Sequence, residues 1–163
     1  MIKLLVFDID GTLTNGQIAY DANGIETKSF DVKDGMAIEA WVKKFGFKAV
    51  FITGRNSPIV EKRGKELGIS YIYQGISDKT KVLNEILEME NLTLANVAAI
   101  GDDLNDIKML QAVKISFCPN DATEEVKKVV SVVSSKNGGH GAAREMIEYI
   151  LKISDIELKS LWL

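Results

Sequence analysis

The sequence holds one cysteine, Cys118, and one histidine, His140. A lone cysteine cannot close an intramolecular disulfide, so a reducing, cytoplasmic location is expected. A lone histidine excludes a histidine cluster for a transition metal and weakens any mechanism that needs a histidine base. Carboxylates and hydroxyls must therefore supply whatever chemistry there is. A long hydrophobic run is missing as well. Met1 to Phe7 is apolar for only a few residues before Asp8 arrives, too short for a signal-peptide core or a membrane span. Nor is there an excess of positive charge. With 20 Lys+Arg against 23 Asp+Glu, neither a nucleic acid nor an anionic membrane is expected as partner, and an anionic substrate would need a local basic pocket. Only two prolines occur, and no Pro- or Ser-rich linker, repeat or low-complexity tract interrupts the chain. Residues 1–163 are accordingly expected to form a single domain.

What is present is an alternation of short apolar runs and amphipathic stretches. Leu4-Leu5-Val6-Phe7 runs into Asp8-Ile9-Asp10-Gly11, the pattern of a strand buried on both faces with polar groups at its C-terminal end. Residues 17–30 predict a projecting hairpin turning at Asp21-Ala22-Asn23-Gly24, because Asn-Gly is a strong hairpin signal. Met36 to Phe45 has helical spacing and stops at Gly46, and Ala49 to Ile52 is a second buried strand. Ser57-Pro58 opens a helix that runs to Leu67 and ends at Gly68. A short strand, Tyr71 to Tyr73, and a helix from Asp78 through Met89 follow, then a strand from Val97 to Ile100. The rhythm continues with a helix over Ile107 to Ala112, a strand over Lys114 to Phe117, a helix opened by a capping-box-like Asp121-Ala122-Thr123-Glu124, and an edge strand from Val129 to Val133. After a loop at Gly138 to Gly141, an amphipathic helix spans Ala142 to Ile153, and the tail completes a segment over 142–163. Such an order predicts an α/β fold, a Rossmann-like domain with a mostly parallel central sheet flanked by helices, with ligands at the C-terminal strand ends.

Four polar clusters would then meet on one rim: Asp8, Asp10 and Thr12; Thr53-Gly54-Arg55; Lys79; and Asp102, Asp103 and Asp106. Converging carboxylates repel unless a hard divalent cation holds them, and all-oxygen ligation suits Mg²⁺. Metal and lysine would neutralise phosphoryl oxygens while a threonine hydroxyl and backbone amides complete a cradle. Taken singly the residues have plainer readings. An Asp after a strand also caps turns, Thr53-Gly54 also fits a turn, and Lys79 also fits a solvated helix start.

Taken together, Asp8-Ile9-Asp10-Gly11-Thr12-Leu13-Thr14, Thr53-Gly54, Lys79 and Gly101-Asp102-Asp103-Leu104-Asn105-Asp106 resemble, in order, the four motifs of the haloacid dehalogenase superfamily. The resemblance implies that Asp8 attacks phosphorus to form an acyl phosphate, while Asp10 protonates the leaving oxygen and later activates water. It implies Mg²⁺ held by the Asp8 carboxylate, the Asp10 backbone carbonyl and Asp102, with Asp103 or Asp106 as outer ligand and orienter of Lys79. Thr53 and Lys79 would grip the transferring phosphoryl group.

Tyr20 to Gly24, Lys28-Ser29-Phe30, Val32 to Gly35, Thr53 to Pro58, Arg63 and Gly138 to Glu145 resemble, within that superfamily, the 3-deoxy-D-manno-octulosonate 8-phosphate (KDO 8-phosphate) phosphatases, which have no large cap domain. That likeness implies a phosphorylated keto-deoxy sugar acid as substrate, a lipopolysaccharide precursor as product, and a homotetramer whose hairpin or tail reaches the neighbouring active site. Asp10, Asp31, Val32, Lys33, Asp34, Gly35, Arg55, Arg63 and Lys79 would contact the substrate, the planar forks of the two arginines being suited to clamp its carboxylate. Arg63 equally fits a salt-bridged helix arginine. His140 stands where those phosphatases usually carry lysine and a nine-carbon sister group carries glutamate. It fits a specificity contact, as does Arg144, or an exposed loop residue. A nine-carbon substrate and a non-catalytic assembly module are the alternatives.

Overall fold

The computed structural model describes residues 1–161, so Trp162 and Leu163 of the C-terminal tail lie outside the described residues. Eight strands and six helices follow one another in chain order: β1 (Leu4–Phe7), β2 (Ala19–Tyr20), β3 (Glu26–Thr27), α1 (Val32–Phe45), β4 (Lys48–Ile52), α2 (Pro58–Leu67), β5 (Tyr71–Tyr73), α3 (Lys79–Glu90), β6 (Val97–Ile100), α4 (Ile107–Ala112), β7 (Ile115–Cys118), α5 (Glu124–Lys127), β8 (Val132–Val133) and α6 (Ala142–Ile153). Six strands pair in the order β5-β4-β1-β6-β7-β8, every pair parallel. The strands β2 and β3 form a separate antiparallel hairpin.

The central strand explains the architecture. Leu4, Leu5, Val6 and Phe7 are all fully buried, and because successive side chains leave a strand on opposite faces they serve two cores. Leu5 and Phe7 join Ile38, Trp41, Val60, Met146 and Ile147 from α1, α2 and α6. Leu4 and Val6 join Val82, Leu83, Ile86, Met109 and Val126 from α3, α4 and α5. Each such side chain contributes about 1.5–3 kcal/mol by leaving water, and the sheet is locked between two helical layers. No helix among the described residues is long and apolar enough to cross a membrane.

Boundaries differ from the sequence reading at informative places. The helix α1 begins at Val32, not Met36, because the Asp31 side chain accepts from the Lys33 amide and caps it. Val32, Lys33, Asp34 and Gly35 are therefore a helical turn. Thr123, not Asp121, stands at the N-cap of α5, and the Asp121 carboxylate instead accepts from Gly138 N at 2.9 Å. The edge strand shrinks to Val132–Val133, since only those residues reach β7.

Asp34 does long-range work. Gly141, at the N-cap of α6, offers no side chain to its free amides. The buried Asp34 carboxylate reaches across from α1 to accept from Gly141 N at 3.3 Å and Arg144 N at 2.9 Å. Its Asp34→Ala variant leaves two amides unpaired and is expected to lose about 1–3 kcal/mol of stability. Urea denaturation measures this, and an unchanged midpoint would refute the cap.

Candidate active site

The chain leaving β1 curls tightly. The amides of Thr12, Leu13 and Thr14 all converge on the Ile9 carbonyl, at 3.1, 2.9 and 3.2 Å. Thr14 Oγ1 accepts from Gly11 N and Gly16 N, each at 3.2 Å. Gly11 has φ +91, and a Cβ there would lie 2.6 Å from Asp102 Cγ, so glycine alone permits the Asp10–Gly11 backbone to approach the Asp102 carboxylate. Asp8, 5% exposed, sits at the strand end with its amide on the Ile100 carbonyl of β6.

Strand β6 delivers the second set. Asp106 Oδ2 accepts from Asp102 N at 2.9 Å and Asp103 N at 3.3 Å, which folds the Gly101–Asp106 loop around its own carboxylate. The other oxygen, Oδ1, meets Lys79 Nζ at 2.6 Å, and the same ammonium meets Asp8 Oδ1 at 2.6 Å. Asp78 caps α3 and so fixes Lys79 at its first position. Lys79 is 2% exposed and Asp106 0%. Asp103 is exposed and caps the following turn through Leu104 N.

The electrostatics are those of too many carboxylates in too little water. Burial, then the Asp106 charge, push Asp8 up to about 6, against the pull of Lys79. Burial, then the charges of Asp8 and Asp106, push Asp102 up to about 8. Burial disfavours the Lys79 charge, but Asp8 and Asp106 outweigh it and raise the ammonium above its ordinary value. One carboxylate oxygen from each of Asp8, Asp102 and Asp106 lies within 4.8 Å of the others. Since Asp106 is committed to Lys79 and two amides, Asp8 and Asp102 are the carboxylates left facing one another. A hard cation between them fits this donor set and removes the repulsion.

The rest of the pocket comes from β4 and the hairpin. A cavity of about 160 Å³ is lined by Asp8, Asp10, Thr53, Gly54, Arg55, Asp102, Asp103 and Asn105. Thr53 is buried, its backbone tied to Tyr73 O and Ile76 N. The Asp10 side chain turns away from the carboxylate cluster. It pairs with Lys28 Nζ and faces Arg55 Nε at 3.8 Å. Glu26 meets the same two cations, Lys28 at 3.0 Å and Arg55 Nη2 at 3.2 Å. Tyr20 and the two carboxylates raise the Arg55 guanidinium above its ordinary value.

Lys28, Glu26 and Asn105 are the site residues that the sequence reading did not assign. Asn105 lay inside a motif already read. Lys28 and Glu26 carried a usable signal, charges two apart on a hairpin strand and hence on one face.

Other expected substrate contacts lie elsewhere. Arg63 is not among the residues lining this cavity. It packs over the Phe30 ring at 5.5 Å and reaches the Asp31 carbonyl and Glu66. The Asp34 carboxylate belongs to the α1–α6 contact, Gly35 lies against Arg63 and Leu67 of α2, and Val32 is 72% exposed. Asp31, Lys33, His140 and Arg144 line a different cavity of about 310 Å³, with Lys136, Glu145 and Glu148. That loop still reaches the turn that follows Asp8 and Asp10. Gly139 N donates to Thr12 O at 3.0 Å, and a Cβ on Gly138 would lie 2.6 Å from the Gly11 carbonyl carbon.

Comparison with known proteins identifies the family. The haloacid dehalogenase-like hydrolase family matches residues 69–146. The chain is 38% identical over 151 residues to the 3-deoxy-D-manno-octulosonate 8-phosphate phosphatase of Haemophilus influenzae, covering 93% of this chain and 83% of that protein. The solved structure of the Moraxella catarrhalis phosphatase of that name, in complex with magnesium ion, phosphate ion and KDO, superposes with TM-score 0.89 at 42% identity, covering 93% of this chain and 86% of that one. The cobalt-bound form of the Haemophilus influenzae phosphatase superposes with TM-score 0.88 at 38% identity, covering 94% and 90%.

A pH dependence follows. Folding lifts Asp8, Asp34 and Asp102 above 3.8, so the folded state binds more protons and stability falls as pH rises from about 4 to about 8. In EDTA the melting temperature is expected to drop between pH 5 and pH 8. Added Mg²⁺ should raise it, more at pH 8, because the cation replaces protons on the same carboxylates. A melting temperature that is flat with pH and indifferent to Mg²⁺ would refute the assignment.

Proposed function

We propose, for a chain that belongs to the haloacid dehalogenase-like hydrolases and among them to the 3-deoxy-D-manno-octulosonate 8-phosphate phosphatases, that it hydrolyses KDO 8-phosphate to KDO and phosphate through a phosphoaspartate at Asp8. The observation that carries this reading is the buried Lys79 ammonium bridging Asp8 and Asp106 at 2.6 Å each, beside Asp102. A carboxylate nucleophile, a fixed cation and a metal-ready carboxylate on one rim are what phosphoryl transfer needs.

In this reading an Asp8 oxygen forms the new bond to phosphorus as the ester oxygen leaves with a proton from Asp10. Water then adds to phosphorus, gives its proton to Asp10 and frees the Asp8 carboxylate. Lys79 and the Thr53 hydroxyl hold the phosphoryl oxygens. Asp8, Asp102 and the Asp10 backbone carbonyl are the ligands assigned to Mg²⁺, with Asp106 and Asp103 behind them. Bound there, Mg²⁺ supplies the positive charge that lets the carboxylates and a phosphate share one site. Arg55, 45% exposed at the pocket mouth, is assigned to the sugar-acid carboxylate.

Assembly into a tetramer, in a cytoplasmic setting, completes the proposal. Ile18, Tyr20 and Ile25 on the hairpin segment and Val32 and Met36 on α1 are exposed, between 40% and 72%, an apolar area that a neighbouring copy would cover.

The test is phosphate release from a panel of phosphorylated eight- and nine-carbon keto-deoxy acids, with and without Mg²⁺. Preference for KDO 8-phosphate is expected, with Asp8→Asn lowering kcat by at least about 10³-fold. Full activity in Asp8→Asn would refute the phosphoaspartate, and a flat panel would refute the substrate.

A further inference from the structure

Asp10 has one neighbour that the phosphatase reading leaves without a task. Lys28 stands just beyond β3, and its side chain is 1% exposed although it lies on a short projecting hairpin. Burying an ammonium is costly unless charged partners meet it. Two do, Asp10 and Glu26. Their hydrogen bonds and charges outweigh the burial penalty and raise Lys28 above its ordinary value, while the Lys28 hydrogen bond lowers Glu26 below its own.

With Arg55 the four groups close a ring: Asp10 to Lys28, Lys28 to Glu26, Glu26 to Arg55, and Arg55 to Asp10. It holds two cations and two carboxylates. Of the two cations, Arg55 is half-exposed and Lys28 is buried. Arg55 is thus free to exchange a carboxylate partner for one on a ligand, whereas Lys28 is fixed. Backbone geometry supports the fixture. Glu26 and Lys28, two residues apart, share the hairpin face turned to the site, and Ile25 and Thr27 take the exposed face.

We propose that Lys28 is a positioning residue for the phosphatase reaction: braced by Glu26, it holds the Asp10 carboxylate on the hairpin side of the pocket, where a leaving oxygen and the hydrolytic water are served. The hairpin thereby belongs to the catalytic apparatus of its own chain, whatever it also offers a neighbouring copy. The inference rests on the proposed phosphatase activity and on Asp10 as proton donor and acceptor.

The experiment compares wild type with Lys28→Met, Lys28→Arg and Glu26→Gln on two substrates, KDO 8-phosphate and p-nitrophenyl phosphate. The sugar alkoxide needs a proton as it leaves, while nitrophenolate does not. Hydrolysis of the phosphoaspartate needs a base in both cases. A misplaced Asp10 is expected to lower kcat for the sugar phosphate about 10–100-fold with KM changed less than about threefold. On the aryl phosphate, Lys28→Met should keep a full rapid burst of nitrophenolate, one per active site, followed by a slowed steady state. Lys28→Arg should recover much of the loss, and Glu26→Gln should show the same pattern more weakly. A purely structural role would shrink burst and steady state together with the melting temperature. That parallel loss, or wild-type kcat in Lys28→Met, would overturn the proposal. If wild type ignores KDO 8-phosphate, the substrate reading fails, while the burst comparison on the aryl phosphate still decides the role of Lys28.

Discussion

Everything at the rim depends on one ion pair network, the Lys79 ammonium buried between Asp8 and Asp106. Three carboxylates forced together out of water would push their protons up or push the loops apart. Lys79 offsets two of them, and its own burial is tolerable only because they are there. The arrangement is mutual: Asp106 shapes the β6 loop through two amides, that loop presents Asp102, and Asp102 lies against Gly11 in the loop that carries Asp8 and Asp10. These contacts tie the loops that follow β1 and β6 to each other.

That balance is incomplete, and the incompleteness is chemically useful. Lys79 leaves Asp102 with its proton affinity raised to about 8, so the protein holds an unspent preference for positive charge at one point. A site fully neutralised by lysines would fold more securely and bind metal less well. On the other side of Asp10 the hairpin ring is already neutral, with two cations for two carboxylates. Asp8 and Asp10, two positions apart in sequence, thus sit in different electrostatic settings.

Much of this was legible in the sequence because local signals coincide with global ones. The unbroken run Leu4 to Phe7 announces a strand buried on both faces, Ser57-Pro58 and Asp78 announce helix starts, and the strand ends place Asp8, Thr53 and Asp102 on one rim without further information. The misreadings share a cause. Met36 was the first residue with helical periodicity, but Asp31 had already capped the helix through a local side-chain bond. Asp121 has the composition of a cap, yet its partner is Gly138, seventeen residues on. Lys28, Asp34 and Arg63 acquire their meaning from groups 18, 107 and 32 residues away. Spacing could set Lys28 on one face with Glu26, but it carries no trace of these distant partners, since the charge of a side chain says that it needs a partner and not which one.

The sheet order has a consequence for how the chain reaches this state. The strand that runs into Asp8 comes first in sequence but lies between β4 and β6, and its loop is closed by the Gly138–Gly139 turn. As the chain emerges during synthesis, β1 has no neighbour until residue 48 arrives and only one until residue 97. Such non-local pairing folds slowly. Asp8 can therefore meet Lys79, Asp102 and Asp106 together only once the chain through residue 106 has been made.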